Sequence, residues 1–315
     1  MPRPCGDAAA DSDLEDAAMP FFTRRRFLET TAAAAGTVLA GAPRLVAEAS
    51  APGPAPAQPR PAPVIDCHAH LHHHGSPAWE ASDRKLIDAA DRLGIDRLCA
   101  SILTPRRPAT AAGFRECNAW LAEAMRRFPG RVLGYCYVNP GCAREALDEI
   151  RRSVLDRGFI GVKLYNEYTC TEPVVFPVVE LSIELRVPIL QHAGHSHYFV
   201  AEQPRISDGG HLAELAARYP EARLICAHVG GGGDWEWTIK ALRHAKNVYL
   251  DTSGSVIDEG IVDLAARVLG VDRLLFGCDM SMTAGVGKIR AADLPAADKQ
   301  KILGLNMQEL LRWKS

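Results

Sequence analysis

The segment Ile65-Asp66-Cys67-His68-Ala69-His70 (IDCHAH) is a short apolar run that ends in two histidines. A run of this length is typical of a buried parallel strand. Because side chains alternate along a strand, we expect His68 and His70 to point to the same side. Two imidazoles placed in this way can hold one metal ion, although the same pair can also be a satisfied polar cluster. The segment therefore predicts a first strand with a candidate metal site at its end.

Seven further runs of the same kind follow. The eight predicted strands cover residues 64–70, 97–103, 132–138, 161–165, 188–193, 224–229, 248–252 and 274–279. Helical patterns fill the intervals, and the spacing is that of repeated strand–helix units. Eight such units in one domain predict a (β/α)8 TIM barrel. A doubly wound open sheet is the alternative, but its first strand normally leads into a Gly-rich phosphate loop, where this chain has histidines.

The helices between these strands are expected to pack one apolar face on the barrel. In the segment 145–155 that face consists of Leu147, Ile150, Val154 and Leu155. Gly158 follows as a stop signal.

Polar residues with metal-binding or acid–base chemistry stand at the predicted strand ends. They are His68 and His70 (first strand), Lys163 (fourth), His192 (fifth), His228 (sixth) and Asp279 (eighth). The active sites of barrels of this kind lie at the C-terminal ends of the strands. Each histidine alone could be a core residue, but their joint placement on one rim predicts a metal site. Imidazole and carboxylate ligands suit Zn²⁺, and also Mn²⁺, Fe²⁺ or Co²⁺.

Five ordered motifs carry a family resemblance. They are Ile65-Asp66-Cys67-His68-Ala69-His70, Gly161-Val162-Lys163-Leu164, Leu190-Gln191-His192-Ala193-Gly194, Cys226-Ala227-His228-Val229-Gly230-Gly231 and Leu275-Phe276-Gly277-Cys278-Asp279. With them the chain resembles the amidohydrolase superfamily from residue 64 onward. It is most similar to the amidohydrolase-2 branch, which includes aminocarboxymuconate-semialdehyde decarboxylase-like enzymes.

The resemblance implies a role for each matching residue. His68, His70, His192 and Asp279 match the metal ligands, and His228 matches the histidine that orients or deprotonates the attacking water. Asp279 would both bind the metal and accept a proton. Lys163 has two readings: in binuclear members a carboxylated lysine bridges two metals, whereas single-metal members leave it free to bind a substrate anion or form a salt bridge. One ion, most simply Zn²⁺, is the favoured expectation, and two ions are the alternative.

Two reactions fit such a site. Metal-activated water could hydrolyse an ester, lactone or amide of a small carboxylate- or ring-bearing molecule, and this broader expectation is favoured. Alternatively, the metal could hold a substrate carboxylate while a C–C bond breaks and releases CO₂. A non-catalytic metal-dependent binding protein is a third alternative, which the presence of both His228 and Asp279 disfavours. Lys163, Tyr165, His195 and Trp235 are the candidate substrate-binding residues, and Arg106 and Arg107 are expected to be exposed charges that could also hold a carboxylate.

The N-terminal part reads as an export signal. Thr23-Arg24-Arg25-Arg26-Phe27-Leu28 resembles a twin-arginine signal, a weakly apolar stretch follows, and Ala47-Glu48-Ala49 is a small-x-small cleavage pattern. We therefore expect a signal peptide at residues 1–49, a Pro/Ala-rich linker at 50–63 and the barrel at 64–315. The expected partners are the twin-arginine export machinery and a small-molecule substrate, and the expected location is periplasmic or secreted. Association into a homo-oligomer stays open.

Composition adds two further expectations. Of the 315 residues 47% are hydrophobic, and the formal net charge is −2, so the composition does not predict nucleic-acid binding. There are nine cysteines. Those in strand-like runs, namely Cys67, Cys99, Cys136, Cys226 and Cys278, are expected to be buried free thiols, whereas Cys142 and Cys170 could pair.

Overall fold

Eight parallel strands follow one another in sequence order around one sheet in a computed structural model, which describes residues 62–72, 78–194, 205–229, 235–254 and 256–314. The strands are β1 (Ile65–His70), β2 (Arg97–Ser101), β3 (Val132–Tyr137), β4 (Gly161–Leu164), β5 (Ile189–Gln191), β6 (Leu224–Cys226), β7 (Val248–Asp251) and β8 (Leu274–Leu275). The predicted (β/α)8 TIM barrel is confirmed.

The α-helices lie between and after these strands. They are α1 (Trp79–Leu93), α2 (Ala111–Arg127), α3 (Ala143–Arg151), α4 (Phe176–Glu184), α5 (Gly209–Arg218), α6 (Trp235–Leu242), α7 (Ile261–Leu269), α8 (Met282–Ala291), α9 (Ala296–Gln300) and α10 (Asn306–Leu311). Within the described part of the chain, none of these helices has the length and apolar character that a bilayer-spanning segment needs.

Backbone hydrogen bonds join the two edge strands. The Cys67 amide donates to the Phe276 carbonyl, and the Asp279 amide donates to the His68 carbonyl, each at 2.8 Å. The barrel is therefore joined between β1 and the segment that follows β8, and the candidate metal ligands lie along this joint.

Two apolar clusters hold the barrel together. The larger lies between the sheet and the surrounding helices, and the smaller draws buried side chains from six strands and so fills the barrel interior. Met307 and Leu310 of α10 belong to the interior cluster, so this helix covers one end of the barrel. Gly304 lets the chain reach that position, since a Cβ there would come 1.8 Å from the Pro63 carbonyl oxygen.

The strands are shorter than the sequence predicts, chiefly at their C-terminal ends. His192, His228 and Asp279 all lie just beyond a strand rather than in it. His228 and Asp279 have positive φ values of 61° and 42°, a conformation that cannot continue a strand. Both candidate site residues therefore lie in turns and not in the ladder.

One helix prediction is wrong in detail. Ile150 and Val154 are buried as expected, but Leu155 is 65% exposed. The chain passes from α3 into a π-helical turn at Arg152–Asp156, which adds a residue to the helical repeat. That extra residue rotates Leu155 away from the barrel. The five cysteines expected to be buried free thiols are confirmed as such, and Cys170 is also free, so the pairing of Cys142 with Cys170 is wrong.

Candidate metal centre and active site

The polar residues selected from the sequence gather at the C-terminal rim of the barrel. His70 ends β1, Lys163 lies in β4, and His192 follows β5 directly. His228 and Asp279 follow β6 and β8. This is the rim on which barrel enzymes place their catalytic groups.

Three of the predicted ligands converge. Asp279 Oδ1 lies 3.2 Å from His70 Nε2 and 3.8 Å from His68 Nε2. One ligand atom from each of these three residues lies within 4.8 Å of the other two. His68 is fully buried, whereas the Asp279 side chain is 29% exposed, so the set is open on its aspartate side. Two imidazoles and a carboxylate suit a divalent first-row metal ion.

A β-bulge helps to place the first two ligands. Asp66 pairs with Leu98 and Ala69 pairs with Ala100, so β1 contains one residue more than β2 between these points. As a result Cys67 contributes to the interior cluster while the adjacent His68 still reaches the rim. The His68 and His70 rings lie 5.2 Å apart, which confirms that they point to the same side.

Lys163 contacts the first ligand directly. Its Nζ lies 2.8 Å from His68 Nε2, and the side chain is fully buried. Burial lowers the pKa of the Lys163 amine to about 8, and burial also lowers the pKa of His68. The amine therefore uses the same imidazole lone pair that a metal ion would need, so metal binding at His68 requires Lys163 to move or to be modified.

His192 and His228 form a second layer beside this set. His192 Nδ1 lies 3.0 Å from His228 Nε2, and His228 Nδ1 lies 3.3 Å from Asp279 Oδ2. Among the described residues, the groups of converging ligand atoms do not include His192. Its predicted role as a ligand stays a prediction. His228 stands between the two residues, contacting His192 with Nε2 and Asp279 with Nδ1. Burial lowers the pKa of His228 to about 3 and, together with the charge of His228, lowers that of His192. Both imidazoles are therefore neutral near pH 7.

Asp251 and Ser253 complete the network and were missed by the sequence reasoning. Asp251 Oδ2 lies 2.7 Å from His68 Nδ1, and its Oδ1 accepts the Ser253 amide at 2.7 Å. The Ser253 hydroxyl donates to Asp251 Oδ2 and lies 3.2 Å from His228 Nδ1. Asp251 ends β7, so the rule that strand ends carry the chemistry could have selected it.

The electrostatics fix the roles of the two aspartates. Burial alone would raise the pKa of Asp251, but the charge and hydrogen bond of His68 hold it at about 2. Burial likewise opposes ionisation of Asp279, but the hydrogen bond from His70 and the charges of His228 and His68 hold its pKa well below the usual range. Asp251 is thus an ionised acceptor for the His68 Nδ1 hydrogen, which leaves His68 Nε2 as the candidate ligand atom.

The predicted substrate-binding residues have different surroundings. The Tyr165 ring stacks on His192 with centroids 4.0 Å apart. The Arg107 guanidinium lies 3.3 Å from the Tyr165 centroid, and Arg107 is exposed, as expected. Trp235 begins α6, and its indole N–H donates to Asp258 Oδ2 at 2.9 Å. His195 lies outside the described residues, as do the proposed signal peptide and most of the linker.

Comparison with known proteins gives the class. A model of the amidohydrolase family Amidohydro_2 matches residues 65–313, so the chain belongs to that family. The gamma-resorcylate decarboxylase of Polaromonas sp. strain JS666 is 24% identical over 301 residues, which cover 74% of this chain and 90% of that protein.

Solved structures with the same fold include two decarboxylases. A dihydroxybenzoic acid decarboxylase from Polaromonas sp. JS666, with bound manganese and the inhibitor 2-nitroresorcinol, is 20% identical with a TM-score of 0.63, covering 80% of this chain and 98% of that one. The 5-carboxyvanillate decarboxylase from Sphingomonas paucimobilis is 16% identical with a TM-score of 0.63, covering 80% and 99%. At these identities the two structures support the fold.

These comparisons correct the expected reaction. Hydrolysis of an ester, lactone or amide was the favoured expectation, and it is contradicted because the related proteins are decarboxylases. The sequence reasoning went wrong because metal-activated water and metal-held carboxylate use the same ligands, so the residues alone favour neither reaction.

Proposed function

We propose that this chain is a divalent-metal-dependent, non-oxidative decarboxylase of a hydroxylated aromatic acid. The observation that carries the proposal is the position of the Asp279 carboxylate, which faces His68, His70 and His228 at the rim of a barrel of this family. The similarity to gamma-resorcylate decarboxylase supports decarboxylation over other reactions of the family.

His68, His70 and Asp279 would hold the metal ion. These residues fit a metal ion because their ligand atoms converge within 4.8 Å. Asp251 accepts the hydrogen on His68 Nδ1, so the lone pair of His68 lies on Nε2, on the other side of the ring. Such an ion would supply a positive charge that binds the substrate carboxylate and an adjacent oxygen. We propose manganese ahead of zinc, since a dihydroxybenzoic acid decarboxylase of the same fold contains manganese, and one ion per chain.

The proton chemistry falls to the chain's own residues. When CO₂ leaves, the electron pair of the broken C–C bond stays on the ring carbon, which must then take up a proton. Asp279 Oδ2 and His228 Nδ1, 3.3 Å apart, are the pair of atoms placed to hold that proton. Because the Asp279 side chain is 29% exposed, water can return a proton to it after each turnover.

The wall beside this pair suits a flat ring. The Tyr165 ring lies between the His192 ring and the Arg107 guanidinium, so the wall beside the proposed ligands presents aromatic edges with a cation at its outer end. A planar carboxylic acid can pack against the edge of this stack while its negative charge lies between the proposed metal ligands and the guanidinium.

The test is an assay of CO₂ release. Metal-free protein would be loaded with Mn²⁺ or Zn²⁺ and offered a set of dihydroxybenzoates and 5-carboxyvanillate, beside aryl esters and lactones. We expect CO₂ release from at least one aromatic acid, with loss of that release in Asp279→Asn. Ester or lactone hydrolysis without CO₂ release from any acid would overturn the proposal.

We also propose that residues 1–49 are a twin-arginine signal and that the protein works outside the cytoplasm. The motif around Arg24 and Arg25 supports this. Replacement of both arginines by lysine should retain the protein in the cytoplasm of a bacterial host. Continued export in a host without the twin-arginine machinery would contradict the proposal.

A further inference from the structure

Glu167 is a buried carboxylate that the proposed reaction does not use. It lies three residues after β4 and is 6% exposed. Its Oε1 accepts a hydrogen bond from the Tyr137 hydroxyl. Its Oε2 is buried and has no hydrogen-bond partner among the described residues. Leaving a buried acceptor unpaired is unfavourable, so this oxygen points to a missing partner.

The surroundings connect Glu167 with the aromatic wall of the site. Tyr165, two residues earlier, stacks on His192, and the Arg205 guanidinium fixes the chain by donating to the Glu167 carbonyl at 3.0 Å. Burial raises the pKa of the Tyr165 phenol. The charge of Arg107 lowers this pKa, and the charges of Asp279 and Glu167 raise it. Tyr137, the hydrogen-bond partner of Glu167, is the last residue of β3, so the Glu167 carboxylate lies at the same C-terminal rim as the candidate site.

We propose that Glu167 determines specificity by accepting a hydrogen bond from a second hydroxyl on the substrate ring through its free Oε2. The inference rests on the proposed function, since it takes the ligand to be an aromatic acid beside Tyr165. A carboxylate at this position attracts a hydroxyl donor and repels a second carboxylate. The preferred substrate therefore has one carboxylate and an additional phenolic hydroxyl.

The Tyr137 contact makes Glu167→Gln a sharp test. Glutamine keeps the size of the side chain, and its carbonyl oxygen stays on the Tyr137 hydroxyl, which needs an acceptor. The amide nitrogen, a donor, then takes the place of Oε2, so the substrate hydroxyl loses its charged acceptor and keeps only the weaker bond that it accepts from the amide N–H. In the double variant Glu167→Gln/Tyr137→Phe the amide can turn over and present its oxygen again.

Binding would be measured with nitro analogues on manganese-loaded protein, because a nitro group cannot leave as CO₂. The probes are 2-nitrophenol and the four derivatives with a second hydroxyl at each remaining ring position. For at least one derivative we expect the added hydroxyl to tighten wild-type binding about tenfold or more. Glu167→Gln should remove most of that gain and leave 2-nitrophenol binding unchanged, and the double variant should regain part of it. Glu184→Gln, an exposed residue at the end of α4, is the matched control and should change neither.

The outcomes separate the two proposals. A gain that persists in Glu167→Gln, or no gain at any ring position, overturns the role of Glu167 while CO₂ release from aromatic acids still supports the proposed function. Wild-type protein that neither binds the probes nor releases CO₂ overturns both. Melting temperatures of the variants close to that of the wild type would show that each variant is folded.

Discussion

Replacement of Asp251 by Asn should weaken metal binding without removing any proposed ligand. Asp251 Oδ1 accepts the Ser253 backbone amide, which can only donate, so the asparagine oxygen must remain at that position. The new amide nitrogen then stands where Oδ2 lies, 2.7 Å from His68 Nδ1. Two donors cannot share this contact, so His68 must move its hydrogen to Nε2 and lose the lone pair that would bind the metal.

The size of the effect follows from the type of contact. Loss of a carboxylate that orients a metal-binding histidine typically reduces metal affinity about 10- to 100-fold, or ~1.4 to ~2.7 kcal/mol. The assay is Mn²⁺ binding to metal-free protein, by calorimetry or chelator competition. Imidazole nitrogen NMR on the same samples would show which His68 nitrogen carries the hydrogen.

Asp66→Asn is the matched control. Asp66 is equally buried, but its Oδ1 accepts the His68 backbone amide rather than the ring, and its Oδ2 has no partner among the described residues. Burial raises the pKa of Asp66 to about 8, so the substitution changes little charge at pH 7. The reasoning is refuted if folded Asp251→Asn binds Mn²⁺ as tightly as the wild type, or if Asp66→Asn loses as much affinity.

Three further predictions concern His228, Lys163 and pH. His228→Asn should keep metal affinity within a few-fold but reduce CO₂ release about 100-fold or more, measured by steady-state kinetics; an equal loss of bound metal would instead make His228 a ligand. Lys163→Met removes the amine that competes for His68 Nε2, so elemental analysis should still find one ion per chain. In the wild type Mn²⁺ affinity should rise with pH through about 8 as the Lys163 amine loses its proton, and this rise should be smaller in Lys163→Met. Near two ions per wild-type chain, falling in Lys163→Met, would mean that Lys163 bridges two metals. Metal-free protein should lose stability as the pH falls from 7 to 5. Four histidines have lowered pKa values in the folded protein and so bind protons mainly in the unfolded chain, namely His68, His70, His192 and His228. Each lowers the free energy of unfolding by up to ~1.4 kcal/mol per pH unit below its unfolded pKa, and a melting temperature that is constant over this range would contradict the assignment.

The barrel could be predicted because each strand is a short apolar run, and five of the eight predicted strands carry a selected polar residue at or near the C-terminal end. That pattern located His68, His70, Lys163, His192, His228 and Asp279 at one rim, where the structure places them. The pattern gives no distances, however, so it could not separate the converging set of His68, His70 and Asp279 from His192, which contacts His228 instead.

Other features depend on interactions that the sequence does not display. The bulge in β1 arises from its pairing with β2, and the π-helical turn that exposes Leu155 changes the repeat within a helix. Asp251 was passed over although it stands next to the end of the predicted seventh strand, and its contact with His68 is seen only in the structure. The choice between hydrolysis and decarboxylation depends on how the substrate is bound. Both reactions use the same set of metal ligands, so the ligand residues do not indicate which reaction occurs.

The proposed metal ligands lie on the joint where the barrel closes, and this has a consequence for biosynthesis. His68 and His70 come from the first strand, whereas Asp279 follows the last, and the same segments exchange the hydrogen bonds that join β1 to the end of β8. During translation the histidines leave the ribosome long before the aspartate is made. The nascent chain therefore cannot assemble this three-residue site, and the complete site forms only after synthesis has passed Asp279 and the two ends of the sheet have met. Loading of the proposed metal would thus follow the synthesis of Asp279, and a chain cut short before β8 would display two histidines without the carboxylate that completes their site.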